Sequence, residues 1–208
     1  MISSTWRTPW VAWQWACNTI AAKGDLVKTE DGKLTKEVCN LAVEVLEPGQ
    51  GWPVPASGWD LPALDRYAAQ LMNPDNTGFD YTYGNRLRAH PAIFDDPDSD
   101  ISIMEWDQIQ IISGKLKRFP TSRRGIAITW HPEIDIVADH APCLQLVDFL
   151  FRGGQLNMTA FFRSWDVSRA APANMYGLSK LLGYVAKEAG MKPGSLTIVA
   201  ASAHIYEA

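Results

Sequence analysis

Apolar positions along the chain switch between two spacings, and the switches mark out its elements. From Trp10 to Lys23, Val11, Trp15, Ile20 and several alanines recur at helical spacing until Gly24 stops the run. Lys28 to Lys33 is a polar turn built on Asp31-Gly32. Glu37 to Leu46 reads as a strand ended by Pro48-Gly49, and Gly49 to Trp59 is a Gly- and Pro-rich loop. Asp60 is placed to cap a helix through Met72, with Leu61, Leu64, Ala68 and Leu71 on one face, and Asn73 to Asn76 closes it. Phe79 to Arg88 is aromatic, then basic. Asp95 to Asp100 reads as a solvated acidic loop, without the spacing of a calcium loop. A helix is predicted from Asp107 to Arg118, with Ile109, Ile112 and Leu116 inward. A strand from Gly125 to Trp130 follows and breaks at His131-Pro132.

From Leu144 the pattern is strand, Gly153-Gly154 turn, strand, which is a hairpin signal. The second strand, Gln155 to Phe162, delivers Arg163 and Ser164 at its end. Pro172-Ala173-Asn174 opens a helix with Met175, Leu178, Leu181, Leu182 and Val185 on its apolar face, ended by Gly190. A last strand, Leu196 to Ala200, precedes the tail His204 to Ala208. Strands separated by helices around one hairpin predict a mixed-sheet α/β or α+β fold, a single domain over residues 1–208.

Composition narrows the function classes. The 208 residues are 47% hydrophobic and 20% charged, enough for one sizeable core. A net charge of −4 gives no global basic field, so no nucleic-acid partner is expected and useful cations must be clustered locally. Five of the nine tryptophans lie between Trp6 and Trp52 and read as packing residues. Three cysteines at long spacings fit neither a disulfide framework nor a zinc site, so no metal is expected and a reducing, cytoplasmic setting is. The N-terminus lacks a signal-peptide pattern, and no apolar run reaches membrane-spanning length.

Candidate chemistry centres on Ala141-Pro142-Cys143. It lies between Ser122-Arg123-Arg124 and Phe162-Arg163-Ser164-Trp165-Asp166. A thiolate is the nucleophilic form of cysteine, and neighbouring cations lower its pKa. The same arginines are planar forks suited to phosphate. A site that grips a phosphorylated substrate and attacks it with sulfur is one reading; a small buried apolar cysteine is the other.

With its flanks, the pattern resembles the thymidylate synthase family, which also contains the pyrimidine nucleotide hydroxymethylases. Tyr83-Gly84, Asp107-Gln108-Ile109, Ser122-Arg123-Arg124, Ala141-Pro142-Cys143, Arg163-Ser164-x-Asp166, Pro172-x-Asn174 and His204-Ile205-Tyr206 stand in the family's order. The chain looks most like its compact archaeal- or phage-type members. The resemblance implies the thymidylate synthase fold, a mixed sheet flanked by helices with one sheet face as a homodimer interface. It implies Cys143 as the nucleophile at C6 of a pyrimidine nucleotide, and 5,10-methylenetetrahydrofolate as the cosubstrate.

The same resemblance assigns the remaining roles. Arg163 and Ser164 bind the 5′-phosphate, with Arg123 and Arg124 donated across the interface. Asn174 reads the base, its amide matching N3–H and O4 of uracil and so favouring dUMP over dCMP; capping a helix start is its plain alternative. His204 and Tyr206 hold the sugar 3′-hydroxyl. Asp166 contacts folate or supports the base network, and Tyr83 assists proton removal from C5.

Three departures bear on the outcome. Leu144 follows the cysteine where many members carry His. The family's catalytic glutamate has no clear counterpart, with Asp60, Asp65 and Glu105 as candidates, and Lys28 or Lys33 is a candidate for the family's N-terminal phosphate-binding arginine. The sequence ends two residues after Tyr206, where members continue into a tail that closes over folate; the expectation is freer water access unless the N-terminus or residues 49–59 cover the site. Conversion of dUMP to dTMP is the leading reading. A dUMP, dCMP or CMP 5-hydroxymethylase is the alternative, and a nucleotide-binding paralogue without turnover the third.

Overall fold

The computed structural model describes residues 1–96 and 99–207. Its centre is a seven-stranded mixed sheet. Strand β1 (Ile2–Trp6) lies parallel to β3 (Leu34–Val45), whose first half also pairs with β2 (Asp25–Lys28). The order continues through β9 (Pro193–Tyr206), β8 (Gln155–Asp166), β7 (Leu144–Arg152) and β6 (Ile126–Ile128). β8 and β9 run parallel, joined by helix α6 (Ala171–Ala189) as a crossover. The chain is thus the mixed α/β architecture expected from its pattern.

Period-two alternation puts Leu156, Met158, Ala160 and Phe162 of β8 and Leu196, Ile198 and Ala200 of β9 on one face. Met175, Leu178, Leu181, Leu182 and Val185 of α6 share that core. Helices α1 (Pro9–Lys23) and α4 (Gln108–Arg118) contribute Ala12, Ala16, Ile20, Ile109, Ile112 and Leu116 to it. Residues of opposite parity, such as Thr159, Phe161 and Arg163, are half-buried or exposed.

Several boundaries differ from the sequence pattern. β9 continues six residues past Ala200 and carries His204 and Tyr206 within it, because β3 and β8 pair with it on both sides. β8 likewise runs to Asp166, so Arg163 and Ser164 lie inside the strand. Strand β6 is shorter than predicted, and His131-Pro132 opens a short helix α5 (Pro132–Asp135). The acidic stretch Asp95–Asp100 straddles a hairpin of β4 (His90–Asp96) and β5 (Ser99–Trp106); Pro97 and Asp98 lie outside the described residues, as does Ala208. Helix α2 (Leu61–Met72) is capped by Asp60 as expected, but Leu61 is exposed at its first turn.

Two of the ordered motifs are explained by packing. In Tyr83-Gly84, which begins helix α3 (Tyr83–Arg88), a Cβ on Gly84 would stand 2.2 Å from the Gln70 carbonyl oxygen and 2.3 Å from that of Asn73. Only glycine lets α3 start against the end of α2. In Asp107-Gln108-Ile109, Asp107 caps α4 through Oδ1 and takes Arg88 on Oδ2 at 2.6 Å. Gln108 bonds both backbone groups of Ile128 and the Arg86 carbonyl, tying α3 to the short strand β6.

Candidate active site

A cavity of about 360 Å³ opens where the ends of β8 and β9 meet α2 and α6. Cys143, Tyr83, Ser164, Asp166, Asn174, His204 and Tyr206 all line it. Seven of the ten residues singled out from sequence therefore converge on one space from five parts of the chain.

Cys143 precedes β7, whose pairing with β8 shifts register between Leu144 and Leu146. A bulge at this point re-aims the side chains beside it. The loop bearing the cysteine is pinned from several sides. The Arg163 N–H donates to the Cys143 carbonyl at 2.9 Å. The Arg163 guanidinium donates through Nε to the Pro142 carbonyl at 3.0 Å and through Nη2 to that of Ala141 at 2.8 Å. The hydroxyl of Tyr83 accepts from the Leu144 N–H at 3.3 Å, and that of Tyr81 donates to the Ala141 carbonyl at 3.3 Å. The Thr129 hydroxyl bonds the Leu144 carbonyl.

The electrostatics correct one expectation. Burial pushes the Cys143 thiol up, Arg163 offsets part of that rise, and Asp166 adds to it. The cation is in place, but desolvation outweighs it. Alkylation at Cys143 by iodoacetamide, followed by peptide mass, should keep accelerating above pH 9.0, the ordinary thiol value, and should slow at fixed pH in Arg163→Gln. A plateau near neutral pH would contradict this.

The phenols are also shifted. Burial drives Tyr81 up to about 12 and Tyr83 well above its ordinary range, so both remain neutral hydrogen-bonding groups. His204, buried beside Asp166 and Glu37, is held below its ordinary value by burial, which the two carboxylates partly offset. Its ring stands edge-on to Tyr206 at 5.3 Å.

Asp166 uses Oδ1 for the Ser168 hydroxyl and the Arg169 N–H, which shapes the turn into α6. Asn174 sits in the first turn of α6, and its Nδ2 donates to the Tyr67 hydroxyl at 2.5 Å. Its plain alternative as a helix-start cap does not hold: no side-chain cap is made at this helix, and Asn174 lies inside it.

Arg123 and Arg124 lie elsewhere, lining a separate groove with Arg152. Of the carboxylate candidates, Asp60 caps α2 and Asp65 accepts from the Tyr176 hydroxyl, while Glu105 is exposed on β5. None lines the cavity, where Asp166 is the one carboxylate among the described lining residues. Lys33 pairs with Asp31 at 2.6 Å and stands 5.9 Å from the Tyr206 ring, at the cavity edge.

Sequence reading missed Tyr67, Tyr81 and Arg169. Tyr67 and Tyr81 line the cavity, and the Arg169 guanidinium lies over the Tyr206 ring at 5.2 Å. The aromatic run Phe79 to Tyr83 signalled Tyr81 without assigning it. Tyr67 lies on an amphipathic helix, where an aromatic reads as packing. The loop 49–59 backs this wall: Trp59 packs edge-on against Tyr67 at 6.1 Å, and its Nε1 donates to the Arg169 carbonyl.

Known proteins resemble the chain over most of its length. The family model described as "Thymidylate synthase" matches residues 12–208. The chain is 40% identical over 198 residues to a "Putative thymidylate synthase" of Methanosarcina barkeri, covering 94% of this chain and 85% of that protein. It is 40% identical over 202 residues to the protein of the same name from Methanococcoides burtonii, covering 97% and 88%. With that of Methanocaldococcus jannaschii it shares 36% identity over 197 residues, covering 90% and 82%.

Proposed function

The chain belongs to the thymidylate synthase family, and we propose that it converts dUMP to dTMP through attack of the Cys143 sulfur on C6 of the base. One observation carries the reading. Cys143, Asn174, His204 and Tyr206, separated by up to 63 positions in sequence, line one nucleotide-sized cavity.

A pyrimidine is inert at C5 until a nucleophile adds at C6. The S–C6 bond forms as the C5–C6 π electrons shift toward the C4 carbonyl, and C5 becomes nucleophilic. Methylenetetrahydrofolate supplies the one-carbon unit and the hydride. The donor set suits it: Asp166 keeps Oδ2 free of described partners for a pterin N–H, next to the sulfur. Asn174 pairs with N3–H and O4, His204 and Tyr206 hold the 3′-hydroxyl, and Tyr83 orders the water that takes the C5 proton. Ser164 lines the cavity and takes the phosphate; Arg163, whose guanidinium bonds the Pro142 and Ala141 carbonyls, is not among the lining residues and has Nη1 left to offer.

Arg123 and Arg124 reach that phosphate from a second copy of the chain. Their groove is separate from the Cys143 cavity, and the neighbouring β6 exposes Ile126 and Ile128 by 48% and 40%, an apolar edge suited to a homodimer.

A second reading, 5-hydroxymethylation of dUMP or a cytidine nucleotide, is favoured by one feature. Leu144 is fully buried, so the position after the nucleophile offers no polar relay. Water would then replace hydride at the methylene stage. Incubation with dUMP and methylenetetrahydrofolate, followed by product mass, separates the two. The expected pair is dTMP with dihydrofolate; a hydroxymethylated nucleotide with tetrahydrofolate would overturn the first reading.

A further inference from the structure

Tyr67 and Asn174 bind each other inside the cavity from different helices, α2 and α6. Asn174 Nδ2 donates, so the phenol oxygen of Tyr67 acts as acceptor. The hydrogen of that hydroxyl then has no acceptor among the described residues. Burial pushes the Tyr67 pKa up; the Asn174 hydrogen bond offsets part of that rise and the neighbouring Tyr81 and Cys143 add to it, so the group stays a neutral O–H donor.

The ring has two close neighbours. Trp59 packs edge-on against it at 6.1 Å. Gly177, one turn beyond Asn174, also lies against it, and a Cβ there would stand 3.0 Å from Tyr67 Cε1. The glycine lets the ring lie against α6, and the hydroxyl reaches Asn174 from there. A donor fixed by two helices and an aromatic wall needs no reorganisation when charge develops nearby.

Such a donor answers a chemical need of the site. Addition of sulfur at C6 drives electron density onto O4, making an enolate oxygen beside Asn174. Asp166 is the one carboxylate among the described lining residues, and its Oδ1 is committed to the 166–169 turn. No carboxyl group besides Asp166 stands among the described lining residues to receive that charge.

We propose that Tyr67 is a catalytic residue: its hydroxyl donates a hydrogen bond to O4 of the pyrimidine, beside Asn174, and stabilises the enolate formed when Cys143 adds at C6. The phenol keeps its own proton in this step. The thiol proton leaves to solvent, the S–C6 bond forms, and the C5–C6 π pair moves into the enolate that the phenol solvates. The inference rests on the reading of the cavity as a pyrimidine nucleotide site.

The test is Tyr67→Phe, which keeps the ring between Trp59 and Gly177 and removes only the hydroxyl. Two quantities are read in wild type and variant: dUMP affinity by calorimetry, and tritium release from C5-labelled dUMP with methylenetetrahydrofolate present. Loss of one such donor should slow release by about a hundredfold or more, while affinity falls no more than about tenfold. Release equal to wild type would overturn the proposal. A parallel loss of affinity and rate would also overturn it, since it would mark a structural part. Should the Phe variant not fold, Gly177→Ala, which presses on the ring and keeps both polar groups, should show the same split between rate and affinity; an unchanged rate would overturn the proposal. A wild type that binds dUMP without releasing tritium would defeat the functional reading itself, in an arm independent of the variant.

Discussion

Cys143→Ser should lower tritium release from C5 of dUMP by about 10⁴ or more, in line with loss of a nucleophile from a cooperating site. The magnitude follows from the chemistry. A serine hydroxyl is far less acidic than a thiol, and among the described residues no base of the cavity is hydrogen-bonded to the side chain at 143: Asp166 is partly committed, the phenols are held neutral, and His204 makes no bond to it. Binding of dUMP should survive. Within one chain, the side chains proposed to hold phosphate, base and sugar lie on β8, α6 and β9, and exchanging sulfur for oxygen removes none of their hydrogen bonds. The other cysteines cannot substitute. Cys17 is pushed up to about 11 by burial and by Asp166, Cys39 is exposed on β3, and neither lines the cavity. A variant that released tritium at the wild-type rate would point to a different nucleophile.

The second large effect concerns stability. Arg86 and Asp135 form a bidentate ion pair at 2.7 and 3.1 Å, with side chains only 8% and 1% exposed. Asp135 also takes the His131 N–H at 2.6 Å, and Arg86 donates weakly to the Thr129 carbonyl at 3.5 Å. The pair thereby ties α3 to the segment that runs from β6 into the Cys143 loop. Removing one partner strands the other charge in the interior. Arg86→Ala or Asp135→Ala should each cost about 3–5 kcal/mol in urea denaturation. Replacing both together, as Arg86→Met with Asp135→Leu, should recover most of that loss, because no charge is then left unpaired. Single variants within about 0.5 kcal/mol of wild type would show the pair to be effectively solvated.

The site was more legible in the sequence than the fold that carries it. Cys143, Asn174, Asp166, His204 and Tyr206 stand in motifs that resemble the family's, and it is that resemblance which picks them out. Asp107-Gln108-Ile109 was equally visible, yet its work is structural: a helix cap, an ion pair and a strand-edge clamp. The ends of the strands were hidden for another reason. Residues 200–204 of β9 read Ala-Ala-Ser-Ala-His, too small and polar to show alternation, and are ordered by pairing with β3 and β8. β1 is similarly masked by its Ser-Ser-Thr centre. Tyr67 eluded sequence reading because its partner lies 107 positions away. Its hydroxyl acquires meaning only when α2 and α6 are packed together.

The state of the Cys143 thiol could also not be read from its flanks. The nearby arginines suggested a lowered pKa, whereas burial dominates in the folded chain and only Arg163 lies close enough to oppose it. Arg123 and Arg124 belong to another surface altogether. The effect of a charge depends on its distance and its share of solvent, and motif spacing encodes neither.

The central claim is that Cys143 bonds to C6 of dUMP. It is tested most directly with a dUMP analogue that carries fluorine at C5, where no proton can depart and the adduct stalls. After incubation with this analogue and methylenetetrahydrofolate, the protein should gain the combined mass of both. Peptide mapping should place that mass on Cys143, and Cys143→Ser should remain unmodified. Unmodified wild-type protein under saturating analogue, or a modification at any other residue, would contradict it.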